Sequence, residues 1–322
     1  MPTDLNRRTF LYGSAFAVLA ATADKALAQV KRTPQCRVIV DNDFAGDPDG
    51  LVALAHQLAS KASRCVGVTT STLDPGLAAA GGLKPGATAA AGAEAARELI
   101  GLMGIDPRDC PVAAGSETIG PDAAQPSAAV KLIVAEALRD DPLPLVFACG
   151  GPLTNLAQAL RIRPDIARRM KLIWIGGGAY PAGGHEYNLA TDAKAAQAVF
   201  GHRDLPIWQV PLPAYERCLI SIEDFEANLR PISATTQWLY RRYTQLPPFV
   251  KLGGVIGFGD SALVLLTALS DKSSPAHDRT ARAILDDGRY GEEIAGRFVK
   301  VFDGLDVRLL LSDFMTAMRA HG

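Results

Sequence analysis

The chain carries almost no net charge and lacks the marks of several protein classes. Its 33 Lys and Arg residues nearly balance 34 Asp and Glu residues, for a net charge of −1. A nucleic-acid partner is not expected, because binding it needs a basic surface. The five cysteines form no C-x-x-C pair and no Cys/His cluster, which argues against a zinc site. No apolar run after residue 30 is long enough to span a bilayer.

The first 28 residues have the layout of an export signal. Paired arginines, Arg7-Arg8, precede an apolar stretch from Leu11 to Ala23, and Ala26-Leu27-Ala28 has the form of a cleavage site. The paired arginines resemble a twin-arginine signal, while an ordinary export signal or an uncleaved anchor shares the same layout. We expect residues 1–28 to be an export segment and residues 29–322 to be one catalytic domain, periplasmic or secreted.

The sequence is compatible both with free cysteine thiols and with a disulfide. Export to an oxidising compartment permits a disulfide, but the odd count leaves at least one thiol unpaired and the sequence assigns no pair. Cys36, Cys65 and Cys149 lie beside or within apolar runs. We therefore expect them to behave as small buried hydrophobic residues.

Short apolar runs alternate with amphipathic stretches along most of the chain. Strands are predicted over residues 38–41, 65–69, 111–114, 143–149, 171–175 and 206–210. Helices are predicted over residues 51–58, 93–101, 127–139, 154–161, 193–200, 221–229, 234–243 and 261–269. Residues 74–92, rich in Gly, Ala and Pro, are predicted to form a loop. This order predicts one Rossmann-like α/β domain, with a mostly parallel central sheet and helices on both faces.

Four carboxylates follow the first predicted strand closely: Asp41, Asp43, Asp47 and Asp49. Carboxylates at this density repel one another and are costly to desolvate together, and a cation between them offsets both effects. Oxygen ligands favour Ca²⁺ or Mg²⁺ over zinc or copper. Haloacid-dehalogenase-type phosphatases also begin with Asp-x-Asp, but Ala45 stands where they have a hydroxyl residue. An acidic loop that only caps a helix is the structural alternative.

Later motifs, taken together with the acidic stretch, resemble the inosine-uridine-preferring nucleoside hydrolase family. They are Cys110–Gly115, the G-P-L-T-N-L-A segment 151–157, the glycines 176–178, Glu186-Tyr187-Asn188 and Gly259-Asp260. The resemblance runs from about Val38 to the end of the chain. It implies hydrolysis of the N-glycosidic bond of a ribonucleoside to ribose and free base, by a homodimer or homotetramer.

The resemblance implies a calcium site, with Mg²⁺ as the less favoured cation. Asp43 would contact the metal and take a proton from a metal-bound water. Asp49, Asp260 and the main-chain carbonyl of Gly150 would complete the ligand set. All of these ligands are oxygens, as Ca²⁺ prefers.

The resemblance also implies a sugar-binding set. Asp47, Glu186 and Asn188 match residues that hold ribose hydroxyls. The family usually has two adjacent aspartates where this chain has Pro48 between Asp47 and Asp49. Which of these two carboxylates is the second metal ligand is therefore left open.

One position departs from the family pattern. Family members that hydrolyse purine nucleosides have a histidine before the last aspartate ligand, where this chain has Gly259. His185 and Tyr187 are candidate replacements as proton donors to the base. Two other functions stay open: a non-catalytic or weakly active protein that binds a sugar or nucleoside through a metal, and a different glycoside hydrolase on the same scaffold.

Several of these residues also have simple structural interpretations. Asn155 follows a Gly-Pro turn and is predicted to cap a helix. Taken alone, Glu186 would be a solvated loop charge, Asn188 a turn residue and Asp260 a helix cap. His56 is predicted to lie on the surface.

Overall fold

The computed structural model describes residues 32–46, 48–246 and 250–321 of the 322-residue chain. The predicted export segment and Asp47 therefore lie outside the described residues. Pro34 to Gly322 form one compact unit. In the described part of the chain, no helix has the length and apolar character that crossing a membrane requires.

Among the described residues, ten strands form two sheets. They are β1 (Arg37–Asn42), β2 (Arg64–Thr70), β3 (Val112–Ala114), β4 (Leu145–Cys149), β5 (Met170–Ile175), β6 (Ile207–Val210), β7 (Leu219–Ser221), β8 (Val255–Gly257), β9 (Ala276–Ile284) and β10 (Tyr290–Phe302). The central sheet has eight strands in the order β3-β2-β1-β4-β5-β6-β10-β9, and β7 pairs with β8 separately. Every neighbouring pair in the central sheet is parallel except β9 and β10.

Helices connect most of the strands. The α-helices are Asp49–Ala59, Pro75–Ala80, Thr88–Leu102, Ala128–Leu138, Thr154–Ile162, Tyr187–Thr191, Ala193–Gly201, Leu212–Tyr215, Ile222–Asp224, Ala234–Thr244, Ala262–Val264 and Val307–His321. Tighter 3₁₀ turns span Pro164–Arg169 and Gly259–Ser261, and wider π turns span Phe225–Leu229 and Leu265–Leu269.

Strand β1 shows why helices cover both faces of the sheet. Its side chains alternate between the two faces, as in any strand. Val38 and Val40 belong to one core, which includes Leu51 of the helix Asp49–Ala59. Ile39 belongs to the core on the other face, with Leu156 of the helix Thr154–Ile162. Burying each such side chain contributes roughly 1.5–3 kcal/mol. The predicted parallel α/β fold with helices on both faces is confirmed.

The order of the strands reverses at β1. The chain adds β2 and β3 on one side of β1 and then crosses to β4 on the other side. In such sheets, ligands bind outside the carboxyl ends of the strands where the order reverses. Asp43 follows β1 directly and Gly150 follows β4, so both lie at this switch point.

The predicted loop 74–92 is partly helical. Asp74 caps the helix Pro75–Ala80 by accepting hydrogen bonds of 2.9 Å from the main-chain nitrogens of Gly76 and Leu77. Pro75 stands at the first helical position, where its missing N–H costs nothing. The following helix begins at Thr88 rather than at residue 93. Local capping therefore outweighs the loop-like composition.

The last fifty residues contain structure that the apolar pattern did not predict. The hairpin β9–β10 extends the central sheet, and the helix Val307–His321 packs on one of its faces. Much of the first half of β10 is exposed, and only Lys300 and Val301 pair with β6. A strand with both faces exposed lacks the alternation of apolar and polar residues from which strands are predicted.

Candidate active site

The Asn42 side chain joins two acidic residues at the end of β1. Its Oδ1 accepts a 2.8 Å hydrogen bond from the main-chain nitrogen of Asp43, and its Nδ2 donates a 2.8 Å bond to Oδ2 of Asp260. Both partners are buried, with 7% of Asp43 and 5% of Asp260 exposed. Asn42 was not predicted from the sequence to be a site residue. An amide between four nearby carboxylates was the only local signal for it.

Asp49 extends this acidic group. It begins the helix Asp49–Ala59, where the helix dipole favours a negative charge. The main-chain nitrogen of Asp260 lies 3.3 Å from Oδ2 of Asp49. The structure thus brings Asp43, Asp49 and Asp260 into one neighbourhood. Among the described residues, however, no three acidic, His or Cys side chains form a ready-made metal-binding group.

Gly150 connects the acidic group to the polar residues after β5. A Cβ atom at this position would lie 2.7 Å from Cγ of Asp260, so only glycine allows this close approach. The Gly150 carbonyl accepts a 3.2 Å hydrogen bond from Nδ2 of Asn188, which also donates to the Ile175 carbonyl at 2.9 Å. Asn188 is buried and links two strand ends, so the interpretation as a simple turn residue was wrong.

Glu186 is held by four hydrogen-bond donors. Its Oε2 accepts from the main-chain nitrogens of Gly177 (2.7 Å) and Leu189 (3.0 Å). Its Oε1 accepts from the nitrogen of Asn188 (3.1 Å) and from the Tyr215 hydroxyl (2.8 Å). Glu186 caps the helix Tyr187–Thr191 and is only 2% exposed. It is therefore not a solvated loop charge.

Tyr215 is a second site residue that was not predicted from the sequence. Its hydroxyl donates to Glu186, and a Cβ atom at Gly259 would lie 2.9 Å from its ring. Burial, together with the charge of Glu186, raises the pKa of Tyr215 well above its ordinary value. The hydroxyl therefore stays protonated and remains a donor at neutral pH. No nearby sequence motif marks Tyr215, because its partner lies 29 positions away.

The two proposed replacements for the missing histidine lie in different environments. His185 is exposed. Tyr187 is half-buried, and burial together with the charge of Asp43 raises its pKa. Of the two candidates, only Tyr187 is partly buried beside the acidic residues.

Asp41 and Asn155 support the site from beneath. Asp41 is fully buried and accepts hydrogen bonds from the Thr69 hydroxyl (2.6 Å) and from Nδ2 of Asn155 (2.8 Å). Burial raises the pKa of Asp41 to about 6, although the hydrogen bonds from Thr69 and Asn155 act to lower it. Nδ2 of Asn155 also donates to the Thr70 carbonyl at 3.0 Å. The prediction that Asn155 caps a helix was wrong, because its side chain points back to the sheet.

Two further structural interpretations were wrong. Asp260 lies inside the 3₁₀ turn Gly259–Ser261, where Phe258 is the cap residue. His56 is fully buried: its ring centroid lies 5.4 Å from that of Phe314, and its Nε2 lies 3.0 Å from Asp313. His56 falls on the helix face that the C-terminal helix covers, and that helix was not predicted.

A mostly parallel sheet, with buried carboxylates and a helix-capping glutamate at the carboxyl ends of its strands, defines an α/β protein with an oxygen-rich, acidic ligand site. Comparison with protein families is more specific. Residues 38–303 match the family model for the inosine-uridine preferring nucleoside hydrolases. The chain belongs to this family, and the predicted resemblance is confirmed.

Individual relatives agree with this assignment. A segment of 118 residues is 34% identical to the pyrimidine-specific ribonucleoside hydrolase RihA of Citrobacter koseri, covering 34% of this chain and 37% of that protein. A segment of 88 residues is 34% identical to the inosine-uridine preferring nucleoside hydrolase of Crithidia fasciculata, covering 26% of this chain and 27% of that protein. The matched segments thus span about a third or less of the curated relatives' length.

Solved structures extend the likeness in fold to most of the chain. The inosine-uridine preferring nucleoside hydrolase of Bacillus anthracis has a TM-score of 0.66 at 20% identity, covering 88% of this chain and 99% of that one. A plant nucleoside hydrolase has a TM-score of 0.66 at 19% identity, covering 89% of this chain and 100% of that one. At such identities the likeness establishes the fold.

Proposed function

We propose that this protein hydrolyses the N-glycosidic bond of a ribonucleoside, releasing ribose and free base, with the help of a bound Ca²⁺. One observation carries the proposal: the hydrogen-bonded series Asp49–Asp260–Asn42–Asp43 lies at the switch point of a nucleoside hydrolase fold, and Gly150 and Asn188 connect it to Glu186. The family match supports the reaction type.

The donor set suits a hard cation in its chemistry. Asp43, Asp49, Asp260 and the Gly150 carbonyl offer only oxygen atoms, which favours Ca²⁺, with Mg²⁺ second. Asp47 is a further candidate ligand. Because Pro48 separates Asp47 from Asp49, which of the two carboxylates binds the metal is left open. When bound, Ca²⁺ would supply positive charge that eases deprotonation of the attacking water and offsets repulsion between the carboxylates.

Residues of the chain supply the other catalytic and substrate-binding roles. Asp43, at the edge of the acidic group, takes the proton of the attacking water as general base. Asp47, Glu186 and Asn188 hold the ribose hydroxyls and so fix the sugar relative to that water. The departing base needs a proton donor, and Tyr187 is the better candidate of the two because it is half-buried near Asp43, whereas His185 is exposed.

A panel of purine and pyrimidine ribonucleosides tests the reaction. We expect the purified protein to release reducing sugar from at least one of them in the presence of Ca²⁺ and to release none after chelation. A metal-loaded protein that binds ribosides saturably without turnover would instead support the non-catalytic alternative. Release of sugar from O-glycosides alone would support a different glycoside hydrolase.

Location and assembly complete the proposal. The layout of residues 1–28 supports export by the twin-arginine route and a periplasmic or secreted protein. Replacing both Arg7 and Arg8 by Lys should leave the protein unprocessed in the cytoplasm. We propose a homodimer or homotetramer, and light scattering of the purified protein would test this.

A further inference from the structure

Two thiols lie in contact at the end of the sheet away from the candidate site. The Cys110 thiol donates to Sγ of Cys65 across 3.2 Å, although the two residues are 45 positions apart in sequence. Cys65 lies near the start of β2 and is half-buried, whereas Cys110 precedes β3 and is 2% exposed. The two sulfur atoms thus meet where two neighbouring strands begin.

The sheet itself holds these thiols together. Strands β2 and β3 pair in parallel, with Val68 opposite Val112, and the main-chain nitrogen of Val68 donates to the Pro111 carbonyl at 2.9 Å. Cys65 lies three residues before Val68, and Cys110 lies two residues before Val112. The contact is therefore built into the strand register.

Two other cysteines lie in different surroundings. The Cys36 thiol donates to the Thr267 carbonyl at 3.4 Å, and the Cys149 thiol donates to the Gly151 carbonyl at 3.2 Å. Both are buried and pack as small apolar residues, as predicted, whereas the same prediction was wrong for Cys65, which is only half-buried. Cys65 and Cys110 differ from them because each thiol contacts another thiol.

We propose that Cys65 and Cys110 form a disulfide when the protein meets an oxidant of the disulfide class. The Cys65 thiolate attacks the oxidant's S–S bond, which forms a mixed disulfide and releases one thiol. The Cys110 thiolate then attacks Sγ of Cys65 and releases the second thiol, so two protein thiols are oxidised and one disulfide is reduced. The two sulfur atoms need to approach by only about 1 Å to reach bonding distance.

The order of these steps follows from burial. Contact with Cys65 and burial raise the pKa of Cys110, so it is the less reactive thiol in the reduced pair. Cys65 is half-buried and reachable by an oxidant. Once Cys65 carries the mixed disulfide, Cys110 is already beside it and completes the exchange.

The bond would stabilise the protein without altering the candidate site. It closes a loop that contains the helices Pro75–Ala80 and Thr88–Leu102, and it ties the short edge strand β3 to β2. Cys65 pairs with Val38 at the start of β1, whereas Asp41 and Asn42 lie at the opposite end of that strand. The inference is therefore independent of the proposed reaction.

Incubating the purified protein with oxidised glutathione or with a reductant tests the proposal. We expect the oxidised sample to lose about 2 Da and to yield one linked peptide that contains Cys65 and Cys110. Its Tm should rise by about 5 °C. The Cys36→Ser variant should keep the Tm shift, and both Cys65→Ser and Cys110→Ser should lose it.

Three outcomes would overturn the proposal. One is an unchanged mass after oxidation, and another is a glutathione adduct that stays on Cys65 without resolving. The third is a linked peptide that joins other cysteines. Since wild-type protein alone distinguishes these outcomes, the test does not depend on whether the serine variants fold.

Discussion

The two halves of the candidate site hold their carboxylates by different means. In the sugar half, Glu186 accepts four hydrogen bonds, about as many as a carboxylate can take. In the acidic half, Asp43, Asp49 and Asp260 lie near one another, with the Asn42 amide between Asp43 and Asp260. Protein donors therefore position Glu186, whereas in our proposal a cation offsets the repulsion between the like charges of the acidic half.

The largest expected effect is on activity, through Asp43. Replacing Asp43 by Ala should lower kcat by about 10³-fold, because general-base catalysis contributes roughly 10²–10⁴-fold. The rate of sugar release from the best nucleoside measures this. The matched control is Asp165→Asn, an exposed carboxylate that pairs with Arg163 far from the acidic half. Undiminished activity of Asp43→Ala would rule out the proposed mechanism.

Removing the cation should destabilise the folded protein. Ca²⁺ at about 100 times its Kd should raise the free energy of unfolding by about 2.7 kcal/mol, because it binds only the folded state. Thermal melts of chelated protein with and without added Ca²⁺ measure the shift. Asp260→Asn should lose the shift while Asp165→Asn keeps it. An equal shift in both variants would place the cation elsewhere.

Asn155 tests how the acidic half is supported from beneath. Replacing it by Ala removes one of the donors to the buried Asp41 carboxylate and should lower the free energy of unfolding by about 2 kcal/mol. Urea denaturation measures the change. Asn228→Ala is the control, since Asn228 makes an exposed contact with Asp224. If both variants lose the same stability, Asp41 does not depend on its amide partner.

Substituting Tyr215 should have the smallest effect, a change in KM, and should contrast the two halves most clearly. Because Glu186 is saturated, a ribose hydroxyl has to displace a donor, and Tyr215 is the one side-chain donor of the four. Tyr215→Phe should therefore lower KM about fivefold at unchanged kcat. Tyr243→Phe, which loses a bond to the Gly257 carbonyl, is the control. A raised KM would mean instead that Tyr215 positions Glu186 for the sugar.

The sequence predicted the strands better than it predicted the side-chain contacts. All six strands from β1 to β6 were located within about two residues, since buried parallel strands appear as short apolar runs. The hairpin β9–β10 was missed, because much of β10 is exposed and polar. His56 was misplaced because the helix that buries it was not predicted either.

The candidate site shows the same difference between what local motifs predict and what long-range contacts decide. Asp43, Asp49, Glu186, Asn188 and Asp260 were named from motifs that resemble the family's, and in the structure hydrogen bonds connect all five. Asn42 and Tyr215 were missed, and Asn155 was misassigned as a cap. Their partners lie 218, 29 and 114 positions away, beyond the reach of any local pattern.

By itself, the sequence determined the order of the elements, the parallel sheet and the edge of that sheet at which the acidic residues collect. These follow from apolar periodicity and residue type, which are local properties of the chain. Only the tertiary structure decided that Asn42 joins Asp43 to Asp260, that Tyr215 completes the shell of Glu186, and that Cys65 meets Cys110. Each of these contacts needs two segments to meet through the strand order and register, which no single segment contains.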